Sequence, residues 1–322
     1  MSTVITAPAD AMHARDWKSA TMVAGILLFA TALRYLVFAV SQQSWDPAAF
    51  VEAFCEQDCG WYTSIYEGGY ATTIGDVSGA ARANWAFFPA YPLLVMLVGK
   101  PLGLSASLAG FIVSTGLIFV AALASRPLFG ERLWIYWLWV VGLLAGPFSF
   151  LFSALYTESL FVLLTLLTLV ALKNRSYLGA GLWAAALSAT RITGVLMTLG
   201  ILAQMLRDHL RDGGTLLGFP SRLLREPELL VALALAPVGL ALFMVFLHLH
   251  TGDALAFVHI QRGWDRALGN PLEVLYVALT SPVTSSYFDL IRISSAIAAT
   301  LGLVLSVGLM ATGRIAAGVF CA

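Results

Sequence analysis

Long stretches without a charged residue constrain this chain most. One runs from residue 101 to 125 and another from 133 to 157, and each exceeds the ~20 apolar residues that a helix needs to cross a bilayer. Of 322 residues, 59% are hydrophobic and 11% are charged, whereas soluble proteins average about 25% charged residues. The runs are continuous rather than alternating, which argues against a membrane β-barrel. The sequence therefore predicts an all-α polytopic membrane protein.

Apolar run length predicts about eight membrane segments in a single transmembrane domain, 1–322. Residues 1–19 are polar and the apolar run after them is too long for a signal peptide, so no cleavable leader is expected. The predicted segments lie at about 20–40, 104–125, 133–155, 157–172, 177–190, 192–206, 229–247 and 288–310.

The distribution of Lys and Arg predicts the orientation. With the N-terminus in the cytoplasm, eleven of these residues lie in cytoplasmic segments and four in outer segments, the bias that membrane proteins show. Two large extracytoplasmic loops result, at 41–103 and 248–287. The net charge is zero and gives no indication of nucleic-acid binding.

Two segments depart from simple crossings. Residues 85–103 carry early prolines and a lysine, so we expect a helix in the outer interface with Trp85 and Tyr91 at headgroup level. Residues 177–206 lie between basic stretches, so they must enter the membrane and return, with Arg191 at a buried tip. A buried guanidinium needs an anion, which is either Glu158 or the phosphate of a lipid ligand.

The first outer loop combines acids with aromatic residues. Asp58 is a candidate general base for a sugar hydroxyl if nearby rings hold the sugar, and the alternative is a solvated loop acid. Glu56 and Asp58 form an acid-x-acid pair that is a weak candidate for a divalent cation, so we predict no metal site. Cys55 and Cys59 could pair if the loop faces an oxidising compartment, but unpaired thiols are expected, because i,i+4 spacing on a helix strains a disulfide.

The remaining candidates lie in other segments. Glu158 is either an interfacial acid or a carboxylate that faces a cavity. Arg34, in the first span, is expected to snorkel toward the outer surface. The second outer loop contains three histidines whose spacing matches no zinc motif, and its polar and aromatic residues would suit an acceptor or a phosphate.

Five blocks in order resemble the PIG-V-type mannosyltransferases, which include the second mannosyltransferase of GPI-anchor synthesis and its bacterial relatives, within the GT-C superfamily. The family's Trp before the aspartate is Gln57 here, and members usually continue with further spans beyond this chain's "GRIAAGVFCA", so a shortened member is expected. The blocks are "QDCGWYTSIYEGGY", "NWAFFPAYPLL", "GPFSFLFSALYTESLFVLL", "LSATRITGV" and "GDALAFVHIQRGW".

The resemblance implies a GT-C-like helical bundle that transfers mannose or another hexose, with inversion, from a polyprenyl-phosphate sugar to a lipid-linked or glycan acceptor. It implies that Asp58 is the catalytic carboxylate of the first outer loop and that no separate cofactor is needed. It also implies a bacterial plasma membrane, with the site on the extracytoplasmic side. The rival class is a polytopic transporter or lipid-glycan flippase. The implied substrate-binding residues are Glu158, Arg191, Trp61, Tyr62, Tyr156, His259, Gln261 and Arg262.

Overall fold

The structure of the protein is a computed structural model that describes residues 9–75, 81–266, 269–283 and 287–321. Every regular element in these ranges is a helix, which confirms the predicted all-α class. Parts of the two predicted outer loops, including Asp76, lie outside the described residues.

Three of the described helices are long and apolar enough to cross a membrane, at Trp17–Gln42, Ala106–Phe129 and Asp289–Ala311. A fourth crossing results if Pro227–Leu235 and Val238–Thr251, which meet at a bend of 46°, form one span. These helices coincide with four of the predicted segments. The other predicted segments contain shorter helices, so the number of crossings stays a prediction.

The chain divides into two compact units, and the first comprises residues 1–70 and 87–173. Its core lies where the first span meets three later helices, and Val23, Ile118, Tyr136 and Leu163 are buried there together. The helices of this unit are α1 (Ala9–Gln42), α2 (Pro47–Glu52), α3 (Cys59–Gly68), α4 (Ala90–Gly99), α5 (Ala106–Ala124), α6 (Leu133–Ala145) and α7 (Glu158–Lys173).

Helix α6 ends early, and Arg34 stabilises the point where it ends. Pro147 cannot continue a helix, and the chain leaves α6 at Gly146. From α1, the Arg34 guanidinium donates to the Leu144 carbonyl oxygen at 2.8 Å, to Ser153 Oγ at 3.0 Å and to Ser149 Oγ at 3.4 Å. The Arg34 side chain therefore binds groups of its own unit, and its snorkelling toward the outer surface stays a prediction.

The aromatic residues expected at headgroup level are buried in protein. Tyr91 on α4 is fully buried, and its hydroxyl lies 2.7 Å from Ser114 Oγ on α5. Trp85 belongs to the second unit, where its indole Nε1 donates to the Ala71 carbonyl oxygen at 2.6 Å. Each polar tip has a protein partner inside a compact unit, and the position of these two rings at headgroup level stays a prediction.

The second unit comprises residues 71–86 and 174–322. Its buried residues include Leu187, Ile201, Leu229 and Phe243. The helices of this unit are α8 (Tyr177–Ser188), α9 (Met197–Arg211), α10 (Phe219–Arg225), α11 (Pro227–Leu235), α12 (Val238–Thr251), α13 (Ala256–His259), α14 (Pro271–Thr280), α15 (Tyr287–Ala311) and α16 (Ile315–Cys321).

A serine on α8 stabilises the bend between α11 and α12. Pro237 removes a backbone N–H at the bend, and Ser188 Oγ donates to the Ala236 carbonyl oxygen at 2.8 Å while it accepts from the Leu240 N–H at 3.3 Å. The helices approach closely, because a Cβ on Gly239 would lie 2.0 Å from the Ala185 carbonyl oxygen. A hydroxyl on a neighbouring helix therefore replaces the hydrogen bonds that the bend interrupts.

Candidate functional site

The acidic segment of the first unit turns sharply before α3. Gln57 adopts a left-handed backbone conformation with φ of 51°, and Asp58 occupies the position before the first helical residue. The Asp58 carboxylate accepts no capping bond from α3, and the side chain is exposed. This position places the carboxylate at the N-terminal end of α3.

Cys55 and Cys59 form a disulfide, with 5.1 Å between their Cα atoms. The prediction of unpaired thiols is therefore wrong. It assumed that both residues lie on one helix, but α3 begins only at Cys59 and the left-handed Gln57 lies between the two cysteines. This irregular backbone brings the Cα atoms within the usual separation of a disulfide, and the bond closes the acidic turn.

The charges of three carboxylates act on the hydroxyl of Tyr156. Burial raises the pKa of Tyr156 to about 12, and the charges of Asp58, Glu158 and Glu56 each add to the rise. The Tyr156 hydroxyl also donates a short hydrogen bond to the backbone carbonyl oxygen of Glu56. We call Glu56, Asp58 and Glu158 the carboxylate cluster. Three of the residues predicted for the site, Asp58, Tyr156 and Glu158, thus belong to the first unit and interact through these charges.

Glu158 is the first residue of α7 and is partly buried. The segment before it is fixed from both sides, because Ser159 Oγ donates to the Phe152 carbonyl oxygen at 3.0 Å and Arg34 binds the two serines of residues 149–153. The position of Glu158 near Tyr156 therefore depends on contacts inside the first unit.

Aromatic rings lie beside the carboxylate cluster, and they differ in accessibility. Trp61 is partly buried and stacks on Phe87, with ring centroids 5.9 Å apart and planes at 17°. Tyr62 is only 7% exposed, and its ring meets the edges of Phe87 and Tyr91 at 5.1 Å and 5.6 Å. Trp61 therefore remains a candidate for sugar stacking, whereas Tyr62 acts as part of the core that supports α3.

Arg191 lies in the second unit, in the turn between α8 and α9. Its backbone is extended, it precedes a 3-10 helix at Ile192–Leu196, and its side chain is exposed. The hairpin that we predicted is present as two short helices joined by a turn, and the depth of its tip in the membrane stays a prediction. Arg191 and Ile192 both expose their side chains, whereas Gly194 is buried.

The other three predicted binding residues also lie in the second unit. His259 Nδ1 is 2.6 Å from Asp253 Oδ2, and both side chains are exposed. Gln261 accepts a bond from Arg266 at 3.3 Å, whereas the Arg262 side chain is exposed. The hydrogen bond with His259 is the largest cause that lowers the pKa of the Asp253 carboxyl. Sequence reasoning named His259 but assigned no role to Asp253.

Sequence reasoning missed the contact of Arg82 with Gly263 and Trp264. The Arg82 Nε donates to the Gly263 carbonyl oxygen at 2.7 Å, and its guanidinium lies 5.5 Å from the centroid of the Trp264 ring. A Cβ on Gly263 would lie 2.3 Å from the Ala81 carbonyl oxygen, so only glycine permits this approach. The two segments are more than 180 residues apart in sequence, and no local pattern identifies the pair.

The acid-x-acid pair does not extend into a larger group of metal ligands. Within the described ranges, no group of three or more His, Cys, Asp or Glu side chains is arranged to hold a metal ion. Glu56 and Asp58 are both exposed and remain two adjacent acids at the start of α3. Their chemistry is that of acids that can accept a proton or a hydrogen bond.

Comparisons of the chain with family models, with curated proteins and with solved structures found no match. The features that bear on function are therefore the residues and the geometry of the chain itself.

Proposed function

We propose that the chain is an integral-membrane hexosyltransferase that uses a polyprenyl-phosphate sugar, with mannose as the first candidate, and a lipid-linked or glycan acceptor. The observation that supports this proposal most is the carboxylate cluster around Tyr156, beside the partly buried Trp61. Sugar transfer needs a proton acceptor close to an aromatic surface, and this arrangement supplies both.

Asp58 is the member of the cluster best suited to act as general base. It is exposed and accepts no capping bond from α3, so its oxygens are available to a substrate hydroxyl. In the proposed step the acceptor hydroxyl gives its proton to Asp58 while its oxygen bonds to the anomeric carbon. The bond from that carbon to the phosphate oxygen breaks, and polyprenyl phosphate leaves with the electron pair. Attack from the opposite face inverts the configuration.

In this scheme Arg191 stabilises the phosphate as it leaves. A guanidinium binds phosphate with two parallel hydrogen bonds, and the phosphate gains charge as the bond to the sugar breaks. His259, Gln261 and Arg262 are proposed to contact the acceptor or the donor headgroup. The donor carries one phosphate, so the scheme requires no metal ion.

The disulfide supports an extracytoplasmic location for this chemistry. Disulfides persist in oxidising compartments and are rare in the cytosol, and Cys55–Cys59 lies in the segment that also contains Asp58. The distribution of Lys and Arg predicts that the same segment faces outside. We propose the outer face of a bacterial plasma membrane as the site of transfer.

The experiment is sugar transfer by the purified chain in nanodiscs, with synthetic polyprenyl-phosphate mannose and a panel of acceptors. Asp58→Asn keeps the size of the side chain but cannot accept a proton at neutral pH, so transfer should fall at least ~10²-fold. Glu67→Gln is the matched control, because Glu67 is an exposed acid of the same helix. Near-normal transfer by folded Asp58→Asn would exclude Asp58 as the base.

A transporter or flippase is the second candidate, and the 46° bend between α11 and α12 favours it, because broken helices are common at transporter binding sites. The two functions predict different results in proteoliposomes. An enzyme forms glycosylated acceptor without net movement of the lipid, whereas a flippase moves the labelled lipid and forms no product.

A further inference from the structure

A groove of about 440 Å³ lies on the second unit, between α9 and the start of α16. Its volume falls in the range of small-molecule sites. We call it the α9 groove, and its lining residues are Ala203, Leu206, Arg207, Leu210, Arg211 and Ile315.

One face of α9 forms most of this groove. Residues 203, 206, 207, 210 and 211 follow the i, i+3, i+4, i+7, i+8 spacing of a single helix face. Ile201 and Met205 are buried and fix the other face in the core. Gly313 turns the chain toward α16 with φ of 78°, and a Cβ there would lie 2.6 Å from the Arg207 guanidinium. The close turn places Ile315 opposite the α9 face.

Among the described residues, the groove is lined by two arginines and by no acidic side chain. The arginines are four residues apart on one helix face, and within the described part of the chain neither forms a hydrogen bond or an ion pair. Burial and the like charge of Arg211 lower the pKa of Arg207. An anion between the two guanidinium groups would therefore be bound favourably.

The acids nearest in sequence are already engaged elsewhere. Asp208 is buried, where it accepts from the Tyr177 hydroxyl at 2.9 Å and from Gln204 Nε2 at 3.1 Å. Asp212 accepts both Nη groups of Arg175 at 2.8 Å and 2.9 Å. Both carboxylates thus bind other side chains, and Asp208 acts on Arg207 through its charge without a hydrogen bond or an ion pair.

We propose that the α9 groove binds an anionic phospholipid, with the lipid phosphate between Arg207 and Arg211 and an acyl chain along Leu206 and Leu210. Paired guanidinium groups match phosphate, and the apolar wall matches hydrocarbon. Basic pockets beside membrane helices are recognised lipid headgroup sites, and this chain contains helices that could span a membrane. The proposal does not depend on the sugar-transfer function.

The groove would bind lipid from the leaflet that faces the basic end of α9. Lys and Arg residues are concentrated near that end, with Arg175, Arg222 and Arg225 in addition to the groove pair. The positive-inside distribution predicts that this is the cytoplasmic leaflet, where anionic lipids attract basic segments. A bound lipid would fix α9 against α16 through contacts with both helices.

The test is thermal melting of the full chain in detergent with added lipid. Phosphatidylglycerol should raise the melting temperature in a saturable manner, whereas phosphatidylcholine with the same acyl chains and inorganic phosphate should not. Arg207→Gln/Arg211→Gln should weaken the phosphatidylglycerol effect at least about tenfold in concentration, because both phosphate ligands are lost. Arg225→Gln is the matched control, an exposed arginine of α10 outside the groove, and should behave as the wild type.

Three results would overturn the proposal. An equal response to phosphatidylcholine would show that charge does not matter, an equal response to inorganic phosphate would show that the acyl chain does not matter, and an unchanged response in the double variant would place the lipid elsewhere. If the double variant fails to fold, the single variant Arg211→Gln is measured in the same assay. Its exposed side chain can be changed without disturbing the core. The single variant must show weaker binding of phosphatidylglycerol than the wild type.

Discussion

The polar segments of the two units are fixed by different kinds of contact. In the first unit, residues 52–66 are fixed by the Cys55–Cys59 disulfide and by buried rings such as Tyr62. In the second unit, residues 250–266 combine buried residues such as Phe257 with polar pairs at the surface, among them His259 and Asp253 with side chains 55% and 42% exposed. Covalent and buried contacts are insensitive to salt, whereas exposed ion pairs contribute little and are screened.

This difference indicates how the two segments respond to their surroundings. The carboxylate cluster should keep its geometry over a wide range of pH and ionic strength, which suits a group that must be oriented before the substrate arrives. The histidine segment should respond to solution conditions and to a bound ligand. Stability measurements on the two units can therefore contradict or refine the comparison.

The largest effect is expected for Arg34→Met. The change removes the donor to the Leu144 carbonyl oxygen and to two serine hydroxyls. Hydrogen bonds to charged groups contribute about 1.5–3 kcal/mol each, so the loss of this group should cost about 3 kcal/mol of unfolding free energy. The measurement is unfolding by SDS titration in mixed micelles.

Arg34→Lys is the control for this experiment, because it keeps the charge but reaches fewer acceptors. It should lose about half as much stability as Arg34→Met. A methionine variant as stable as the wild type would show that the first unit does not depend on this contact.

The next effect is expected on opening the disulfide. Cys55 and Cys59 are four residues apart, and the chain-entropy relation gives about 2 kcal/mol for so short a ring. The variant Cys55→Ser/Cys59→Ser should lose this stability, and a reductant should lower the melting temperature of the wild type but not of the variant. Cys321→Ser serves as the control. A reductant effect in the variant would assign the loss to another cause.

A smaller effect, seen in function rather than stability, is expected for Arg191→Lys. Lysine keeps the charge but cannot form two parallel bonds to a phosphate. Use of the polyprenyl-phosphate donor should fall about tenfold, or about 1.4 kcal/mol, with an unchanged melting temperature. The KM for the donor and the melting curve are measured together. A lower melting temperature with an unchanged KM would instead assign Arg191 a structural role.

The smallest effect is expected for Asp253→Asn. The pKa of Asp253 is lower in the folded protein than its unfolded value of about 3.9. Its contribution to stability is therefore complete above the unfolded value and is lost as the pH falls through the folded value. The pair is exposed, so the difference from the wild type should stay below about 1 kcal/mol at pH 7.

Melting curves of Asp253→Asn and the wild type should converge as the pH falls below about 3.9, and high salt should reduce the difference at neutral pH. A difference that grows toward acid pH would contradict the assignment. A difference several times larger than expected would mean that the second segment is held as firmly as the first.

The helices were predicted from the sequence where one apolar run forms one helix. Runs at 20–40, 104–125 and 288–310 correspond to long helices. The run at 133–155 does not, because Pro147 ends α6 and Arg34 stabilises the break from a distance of 110 residues in sequence. Hydropathy reports the composition of a segment. It does not report a distant hydrogen-bond donor, such as Arg34, that stabilises a break in the helix.

The site was predicted in part. Asp58, Tyr156 and Glu158 were identified as separate candidates, and the structure adds that the charges of the two acids act on the Tyr156 hydroxyl. The disulfide was missed because helical spacing was assumed from Cys55 to Cys59. Gln57 between them has a left-handed conformation that no residue pattern predicts. The engagement of Asp208 and Asp212 depends on Tyr177 and Arg175 and is likewise invisible in a linear sequence.

The Cys55–Cys59 bond also determines which sulfur atoms can be chemically labelled. With these two oxidised, Cys321 is the remaining cysteine of the chain and carries an exposed thiol. The Cys321→Ser variant therefore has no thiol that reacts with maleimides, and the substitution leaves the acidic turn unchanged. In that background, Thr73→Cys and Ser176→Cys, both at exposed positions, report the side of the membrane that each segment faces. An impermeant maleimide should label the first in intact cells and the second only after lysis.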